Sequence, residues 1–423
     1  MVYYIDNIRG DDSNDGLSSM TPKQDYLKLT LKAGDTVLFK RGSIYRGGLK
    51  VVNGEIRKPV TYDSYGPGSK PVFLGSQFVA DEDLWKKVKR NVWVFEGELE
   101  DEPGNLIFDN GNSCGVMRWS EKELKHQGEW FFREENGGFK LMLYSTKNPA
   151  IIYSSIECSL KNDGCLCTAK HDVLLRNICF ENCSSHGFSA SCQRVTIEKC
   201  VFRYIGGAVL NREKKLRYGN AVDIWNFAFD LSIRKCLFDN IYDSGIAQRG
   251  DSNCEPFVNM LFENNLFVNC GLSAYEVRDR IPINSLFSKN ICVNAGKGFA
   301  STGEKLPRMS EIWPNPVGHH IFIWKINRIT DGGSLELTHN TMCEGPLGAT
   351  IFSLAAPEPE EQVSINFNRY YTENEGPVFR YGGESYFSYE FPMYRINTGN
   401  DLHSEIIEGD IYTEIVSWFE SCY

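Results

Sequence analysis

A phrase recurs through the middle of the chain: a short apolar run, then Asn or Cys, then two further apolar residues. Asp172-Val-Leu-Leu-Arg-Asn177-Ile-Cys179 lines up with Val195-Thr-Ile-Glu-Lys-Cys200-Val-Phe202 and with Ser232-Ile-Arg-Lys-Cys236-Leu-Phe238. Further copies carry the same anchor at Asn265, Asn290 and Asn340, so that the anchors at 177, 200, 236, 265, 290 and 340 are separated by 23, 36, 29, 25 and 50 residues. The period is that of a repeat architecture, a unit of about 23 residues with insertions, and the longest gap is read as hiding an additional unit. Each copy ends in a Gly-containing turn followed by a second alternating run, as in His186-Gly187-Phe188 and Gly245-Ile246-Ala247-Gln248. Several short strands per unit, with no helical period across the span, require a coil of β-strands. The Leu spacing of leucine-rich repeats is missing and the period is too short for a propeller blade, which leaves an all-β solenoid, a single-stranded parallel β-helix. Asn at a fixed turn position can stack its amide on the Asn of the next coil, and Cys fills the same small volume.

The remaining segments arrange themselves around this axis. Residues 1–79 read as N-terminal coils and cap, and residues 159–386 as the main β-helix carrying the cleft. Residues 80–158 break the repeat with Trp85, Trp93, Trp119, Trp130 and Gly137-Gly138 and read as a small antiparallel β insert. Residues 387–423 read as a short C-terminal cap, with helical spacing of Ile411, Ile415 and Trp418 in the run Asp410–Phe419, because a solenoid terminus must cover its open edge.

Composition narrows the partners. With 42% hydrophobic and 24% charged residues the chain is globular. A net charge of −10 argues against nucleic acid or an anionic membrane as the main partner. No stretch approaches the roughly 20 apolar residues of a membrane span. Aromatic residues at 13% suit both β-structure and surfaces that stack on sugar rings. The 14 cysteines form no Cys-x-x-Cys motif, and Cys165-Leu166-Cys167 has no partner cluster, so no metal site is expected and a reducing compartment is favoured. The opening Met1-Val2-Tyr3-Tyr4-Ile5-Asp6 has neither a basic nor an apolar leader region; the expectation is a cytoplasmic protein as the chain stands, and a secreted one if a leader has been removed.

Three further stretches resemble a known family. Tyr3-Tyr4-Ile5-Asp6 with Gly10-Asp11-Asp12-Ser13-Asn14-Asp15-Gly16, the segment Ala33-Gly34-Asp35-Thr36-Val37-Leu38-Phe39-Lys40-Arg41-Gly42, and the closing Glu375-Gly376-Pro377-Val378-Phe379-Arg380-Tyr381-Gly382-Gly383 are similar to pectin-lyase-like, right-handed parallel β-helix proteins. That resemblance implies a right-handed coil. The superfamily holds polysaccharide lyases, glycoside hydrolases, epimerases and phage tailspikes, so the reaction must be argued from the site.

Stacked coils place equivalent residues roughly 4.8 Å apart, so alignment of the runs predicts distances. If Val222, Ile246 and Tyr275 share one inward position, then Asp223, Ala247 and Glu276 form an outward column. Its two acids then lie roughly 9 to 10 Å apart at the backbone. Carboxyls about 6.5 to 9.5 Å apart suit an inverting glycosidase and carboxyls about 5 to 5.5 Å apart a retaining one, and the sequence leaves both arrangements open. Asp243, at the turn of the middle coil, completes three candidate catalytic acids. Arg278, Arg280 and Lys214 border them and suit an acidic sugar. Trp225 alternates to the same face as a sugar platform, His186 stands at the turn position of Ser244, Gln248 follows the column, and His320, with His319, ends a Pro-rich loop; these complete the substrate-binding candidates. No phosphate loop, nucleophile elbow or Walker sequence is present. The expected function is a glycoside hydrolase acting on an oligo- or polysaccharide without a cofactor. The alternatives are a polysaccharide lyase, with Arg278, Arg280, Lys214 or His186 as actors and Ca²⁺ held by Asp223 and Asp243, and a non-catalytic glycan-binding module.

Overall fold

The computed structural model describes the whole chain except residues 251–254, 300–317, 344–349, 354–359, 373–375, 410–414 and 416–423. Its organising element is a corner. Lys199, Lys235, Asn264, Lys289, His339 and Phe367 all adopt the left-handed conformation, with φ between 54° and 58°. Each left-handed residue swings the chain around the corner, and the residue after it, Cys200, Cys236, Asn265, Asn290, Asn340 or Asn368, is buried there.

The four asparagines form a ladder. Asn265 Oδ1 accepts from the Cys236 amide at 2.9 Å, Asn290 Oδ1 from the Asn265 amide at 2.9 Å, Asn340 Oδ1 from the Asn290 amide at 3.0 Å, and Asn368 Oδ1 from the Asn340 amide at 2.9 Å. Their Nδ2 atoms donate to the carbonyls of Ile233, Phe262, Phe287 and Leu337, each at 3.0 Å. Backbone groups that the corner takes out of the strand ladders are thereby satisfied by side chains, as burial requires.

Two expectations are corrected here. Cys179 pairs with Val201, so it is Ile178 that faces Cys200, and Asn177 belongs to the left-handed position with φ 53°, its Nδ2 donating to Asp63. Asn is favourable at both adjacent positions, as a left-handed residue and as a ladder amide, so residue type alone slipped the alignment by one. The 50-residue gap hides no additional unit: Ile291–Val293 pairs directly with Thr341–Cys343, and Asn340 bonds Asn290. The extra length is carried inside one coil.

Between corners run two long parallel sheets. One extends from Val2–Ile5 through His186–Glu198, Val222–Arg234, Ser244–Arg249 and Ser273–Asp279 to Phe379–Tyr381; the other runs from Ile44–Arg46 through Val201–Ile205 and Leu237–Ile241 to Glu405–Glu408. Inward residues fill the coil and repeat from rung to rung. Phe180, Phe202, Phe238 and Phe267 stack with ring centroids 5.3, 5.3 and 4.6 Å apart. Aromatic rings one rung apart pack face to face because the strand spacing matches the distance at which offset rings attract. The described cysteines are free thiols, and most are buried.

The 80–158 region leaves this stack and returns to it. Val60–Tyr65 pairs with His171–Arg176 and Val72–Leu74 with Cys179–Glu181, so the coils close across the excursion. The insert builds two small sheets, antiparallel except where Val116–Met117 pairs with Glu129 and Trp130, over its own core of Trp85, Phe108, Trp130, Phe132, Leu141 and Leu143. Arg217 bolts it to the coils: its buried guanidinium donates to the carbonyls of Gly104 and Gly207 and to Asn105 Oδ1, each at 2.7 Å, over the ring of Tyr242.

At the other end the helix Phe391–Thr398 closes the core, stacking Phe391 and Tyr394 on Phe379 and ending at left-handed Gly399. The Asp410–Phe419 run lies outside the described residues apart from Ile415, which packs in the apolar cluster of Val268 and Val293. No helix among the described residues is long and apolar enough to cross a membrane.

Asn290→Ala removes an amide that serves both neighbouring rungs, so a loss of about 2 to 4 kcal/mol is expected in chemical denaturation. Cys236→Ala removes only a small buried thiol and should cost about 1 kcal/mol. Equal losses in the two variants would show that the amide ladder adds nothing beyond its volume.

Candidate active site

Four stacked strands set the register of the outer face. Val222–Arg234 pairs Asp223 with Ala247, Ser244–Arg249 pairs Ala247 with Glu276, and Ser273–Asp279 pairs Glu276 with Phe322 of His319–Ile326. Val222, Ile224, Ile246, Tyr275 and Val277 then point inward and are buried in the core. Asp223 and Glu276 share the outward column two rungs apart, roughly 9.6 Å at the backbone. Two further rows flank them. Toward the turn stand His186, Asn220, Ser244, Ser273 and His319; toward the strand ends stand Trp225, Arg249, Arg278 and Trp324.

The side chains in this patch are tightly held. Asp223 Oδ1 accepts from Arg249 Nε at 2.6 Å and from Asn220 Nδ2 at 2.9 Å, and its Oδ2 lies 3.5 Å from Ser189 Oγ and 3.7 Å from His186 Nε2. Burial, at 3% exposure, would push this carboxyl up, but the imidazole, the guanidinium and the amide together hold it below the usual range. His186 Nδ1 accepts from the Asn220 amide at 3.0 Å, so the proton of the neutral ring sits on Nε2, facing Asp223. Burial lowers the affinity of His186 for a second proton. At neutral pH the ring is therefore an uncharged donor, and Arg249 and Asn220 keep Asp223 ionised.

Glu276 has a different environment. Its Oε1 accepts from Trp324 Nε1 at 2.7 Å and its Oε2 lies 3.2 Å from Ser244 Oγ, which is 2.9 Å from Ser273 Oγ. Arg249 lies over the Trp225 ring at 5.1 Å and Arg278 over the Trp324 ring at 5.5 Å, so in the outer row two adjacent guanidinium groups are flanked by two indoles.

The structure brings Asp223, Glu276, His186, Trp225 and Arg278 into one patch, with Trp225 at 37% exposure. Asp243 instead clasps Gly219 from both ends, its Oδ2 accepting from the Gly219 amide and its own amide donating to the Gly219 carbonyl, both at 3.0 Å. Arg280 turns toward Asp279, 3.8 Å away. Lys214 is exposed at the tip of the hairpin formed by Ala208–Asn211 and Leu216–Tyr218, next to Arg212, which stacks on Phe132 of the insert.

Gln248 and His320 are corrected outright. Ala247 faces out, so Gln248 faces in, where it accepts from Tyr275 OH at 3.1 Å and donates to the Arg280 carbonyl. His320 is in register with Ala274 of the core and is likewise fully buried; it is His319 that takes the outward row, stacked on Phe322. Asp223 and Asp243 are held by different partners, Asp223 Oδ1 by Arg249 and Asn220 and Asp243 Oδ2 by the Gly219 amide, and a shared Ca²⁺ would have to displace those donors. Among the described residues no cluster of three or more ligating side chains could hold a metal.

Arg249 and Trp324 escaped the sequence reading, and each had a signal. Arg249 lies two residues past Ala247, so the alternation that exposes Trp225 exposes it too. Trp324 lies inside the 50-residue gap between Asn290 and Asn340, where the repeat alignment had lost its phase.

With this architecture in view, the fold is a right-handed parallel β-helix, and residues 104–255 match the family model of the right handed beta helix region. No curated protein matches the sequence. Among solved structures it resembles XylC in complex with xylose, at 12% identity and a TM-score of 0.51, covering 88% of this chain and 62% of that one. It also resembles the GH136 lacto-N-biosidase of Eubacterium ramulus, at 13% identity and a TM-score of 0.46, covering 97% and 67% of the two chains. A third neighbour is an alginate lyase from a Paenibacillus species, at 10% identity and a TM-score of 0.32, covering 90% and 93%. At these identities the likeness is one of fold.

Burial pushes His319 and His320 down to about 3. In the unfolded chain they take up protons near pH 6.5. Their contribution to stability is therefore complete above about pH 6.5 and is lost progressively as the pH falls toward 3. Urea midpoints should drop from pH 7.5 to pH 5, and His320→Phe should flatten that slope. An identical slope in the variant would mean that His320 is not held neutral.

Proposed function

We propose that this protein is an inverting glycoside hydrolase, with Asp223 as general base and Glu276 as general acid. The observation that carries the reading is the two-rung separation of two outward carboxylates across Ala247, whose side chain is too small to keep them apart. From roughly 9.6 Å at the backbone, the side chains can lean into the window of about 6.5 to 9.5 Å that accommodates a sugar and a water. A retaining pair would occupy adjacent rungs.

The surroundings assign the roles. Asp223, kept ionised by Arg249 and Asn220, takes the proton of the attacking water while the His186 Nε2–H faces its other oxygen. Glu276 delivers a proton to the departing glycosidic oxygen. The Ser244 hydroxyl can donate to ionised Glu276 or accept from its protonated form, so both states that a cycling acid must visit are accommodated. Trp225, the exposed indole of the row, supplies an apolar face for a sugar ring. The similarity of the terminal motifs to pectin-lyase-like proteins supports a glycan substrate.

A second reading, β-elimination on a uronate, is favoured by Arg249 and Arg278 side by side in the outer row, since paired guanidinium groups would neutralise a carboxylate. Against it, the ring nitrogen of His186 that faces the patch already carries its proton and cannot serve as the base.

Asp223→Asn and Glu276→Gln should each lower kcat by about 10³-fold, with Glu276→Gln melting near the parent and Asp223→Asn melting lower because it leaves the Arg249 guanidinium without its carboxylate. Products should gain one water per cleavage, and proton NMR of the first-formed anomer should show inversion. Unsaturated products would replace hydrolysis by elimination. Retention of configuration would sink the two-rung assignment.

A further inference from the structure

The second parallel sheet carries a cavity of its own. It encloses 460 Å³ between the sheet and the insert and is lined by Glu157, Glu181, Asp239, Arg203, Asn182 and Tyr204 over an apolar floor that includes Val72 and Leu74. That volume lies within the roughly 300 to 1,000 Å³ typical of small-ligand sites. The cavity belongs to the other face of the coil: Leu237–Ile241, which bears Asp239, precedes Ser244–Arg249 around the turn at Tyr242 and Asp243.

Its charges are already paired, three carboxylates sharing two guanidinium groups. Arg46 binds Glu157 through two nitrogens, at 3.0 and 3.1 Å, and Arg203 lies 2.9 Å from Asp239 and 3.8 Å from Glu181. A metal ion or ammonium ligand would have to compete with these guanidinium groups, and an anion would meet three carboxylates. What the wall leaves unmet is a neutral acceptor. Asn182 is 6% exposed, and among the described residues its Oδ1 has no hydrogen-bond partner. Tyr204 bridges the cavity, its hydroxyl donating to the Gly111 carbonyl of the insert at 2.9 Å and its ring remaining as a flat wall.

We propose that this cavity is a second, non-catalytic site for a neutral sugar. The Asn182 amide turns its buried, unpartnered oxygen toward the cavity to accept from a ligand hydroxyl, other hydroxyls exchange donors and acceptors with the paired carboxylates and Arg203, and the C–H face of the ring lies on Tyr204 and the apolar floor. The site does not depend on catalysis at Asp223, and a chain inactive on every glycan would still show it.

Saturation-transfer NMR with galactose, xylose and N-acetylglucosamine, and with galacturonate as the anionic control, tests the assignment on the full chain carrying Trp225→Ala and Glu276→Gln. At least one neutral sugar should bind with millimolar Kd, with galacturonate at least about 5-fold weaker. Adding Asn182→Leu should weaken the neutral sugar by about 10-fold or more. Ile44→Trp, a change at an exposed position on the cavity rim, should do the same without touching the core. The proposal is overturned if no neutral sugar binds, if galacturonate binds as well, or if Ile44→Trp leaves binding intact. It is equally overturned if binding seen in the unmodified chain disappears with Trp225→Ala and Glu276→Gln, because the sugar then occupies the other face.

Discussion

Everything on the outer face of this molecule depends on the register in which one coil lies on the next. Parallel strands with a side-chain period of two lose their meaning if a rung slips by a single residue, because every inward group then turns outward. The corner ladder opposes that slip. Asn265, Asn290, Asn340 and Asn368 each accept from a backbone N–H and donate to a carbonyl of the preceding rung, so a shifted coil would strand buried amides and carbonyls without partners. The Phe180, Phe202, Phe238 and Phe267 stack inside and the Asp223 and Glu276 column outside are two readings of the same alignment.

Within that frame, the two acids are distinguished by what surrounds them. Burying a carboxylate is unfavourable unless it is paired and hydrogen bonded. Asp223 meets the condition with a guanidinium on the neighbouring rung and an amide three residues back. Glu276 is hydrogen bonded by neutral donors, an indole and a serine hydroxyl. One carboxylate is committed to its charge while the other keeps a partner able to serve either protonation state, and that asymmetry underlies the assignment of base and acid.

The excursion at 80–158 shows how much a solenoid tolerates. Because Val60–Tyr65 and Val72–Leu74 pair directly with the strands after the insert, the stack closes as if nothing intervened. The insert then depends on its own aromatic core and on the buried Arg217 contacts to stay attached. Its position against the second sheet creates a sheltered space lined by paired charges where an isolated β-helix would present an open surface.

The repeats, the alternation and the turn glycines made the architecture legible in the chain alone, together with the outward column of Asp223, Ala247 and Glu276. Such signals are local, since a period of two states which face a side chain takes wherever the phase is known. The same alternation could have placed Arg249 outward and Gln248 inward. Where the phase was interrupted, at Asn177 and across the 50 residues before Asn340, the reading slipped, and with it went Trp324 and the inward turn of His320. The proton on Nε2 of His186, the clasp of Asp243 on Gly219 and the partners of Glu276 were decided by tertiary structure. They depend on which atoms from different coils come within 3 Å of one another, and that follows from stacking and insertion length, which no local pattern records.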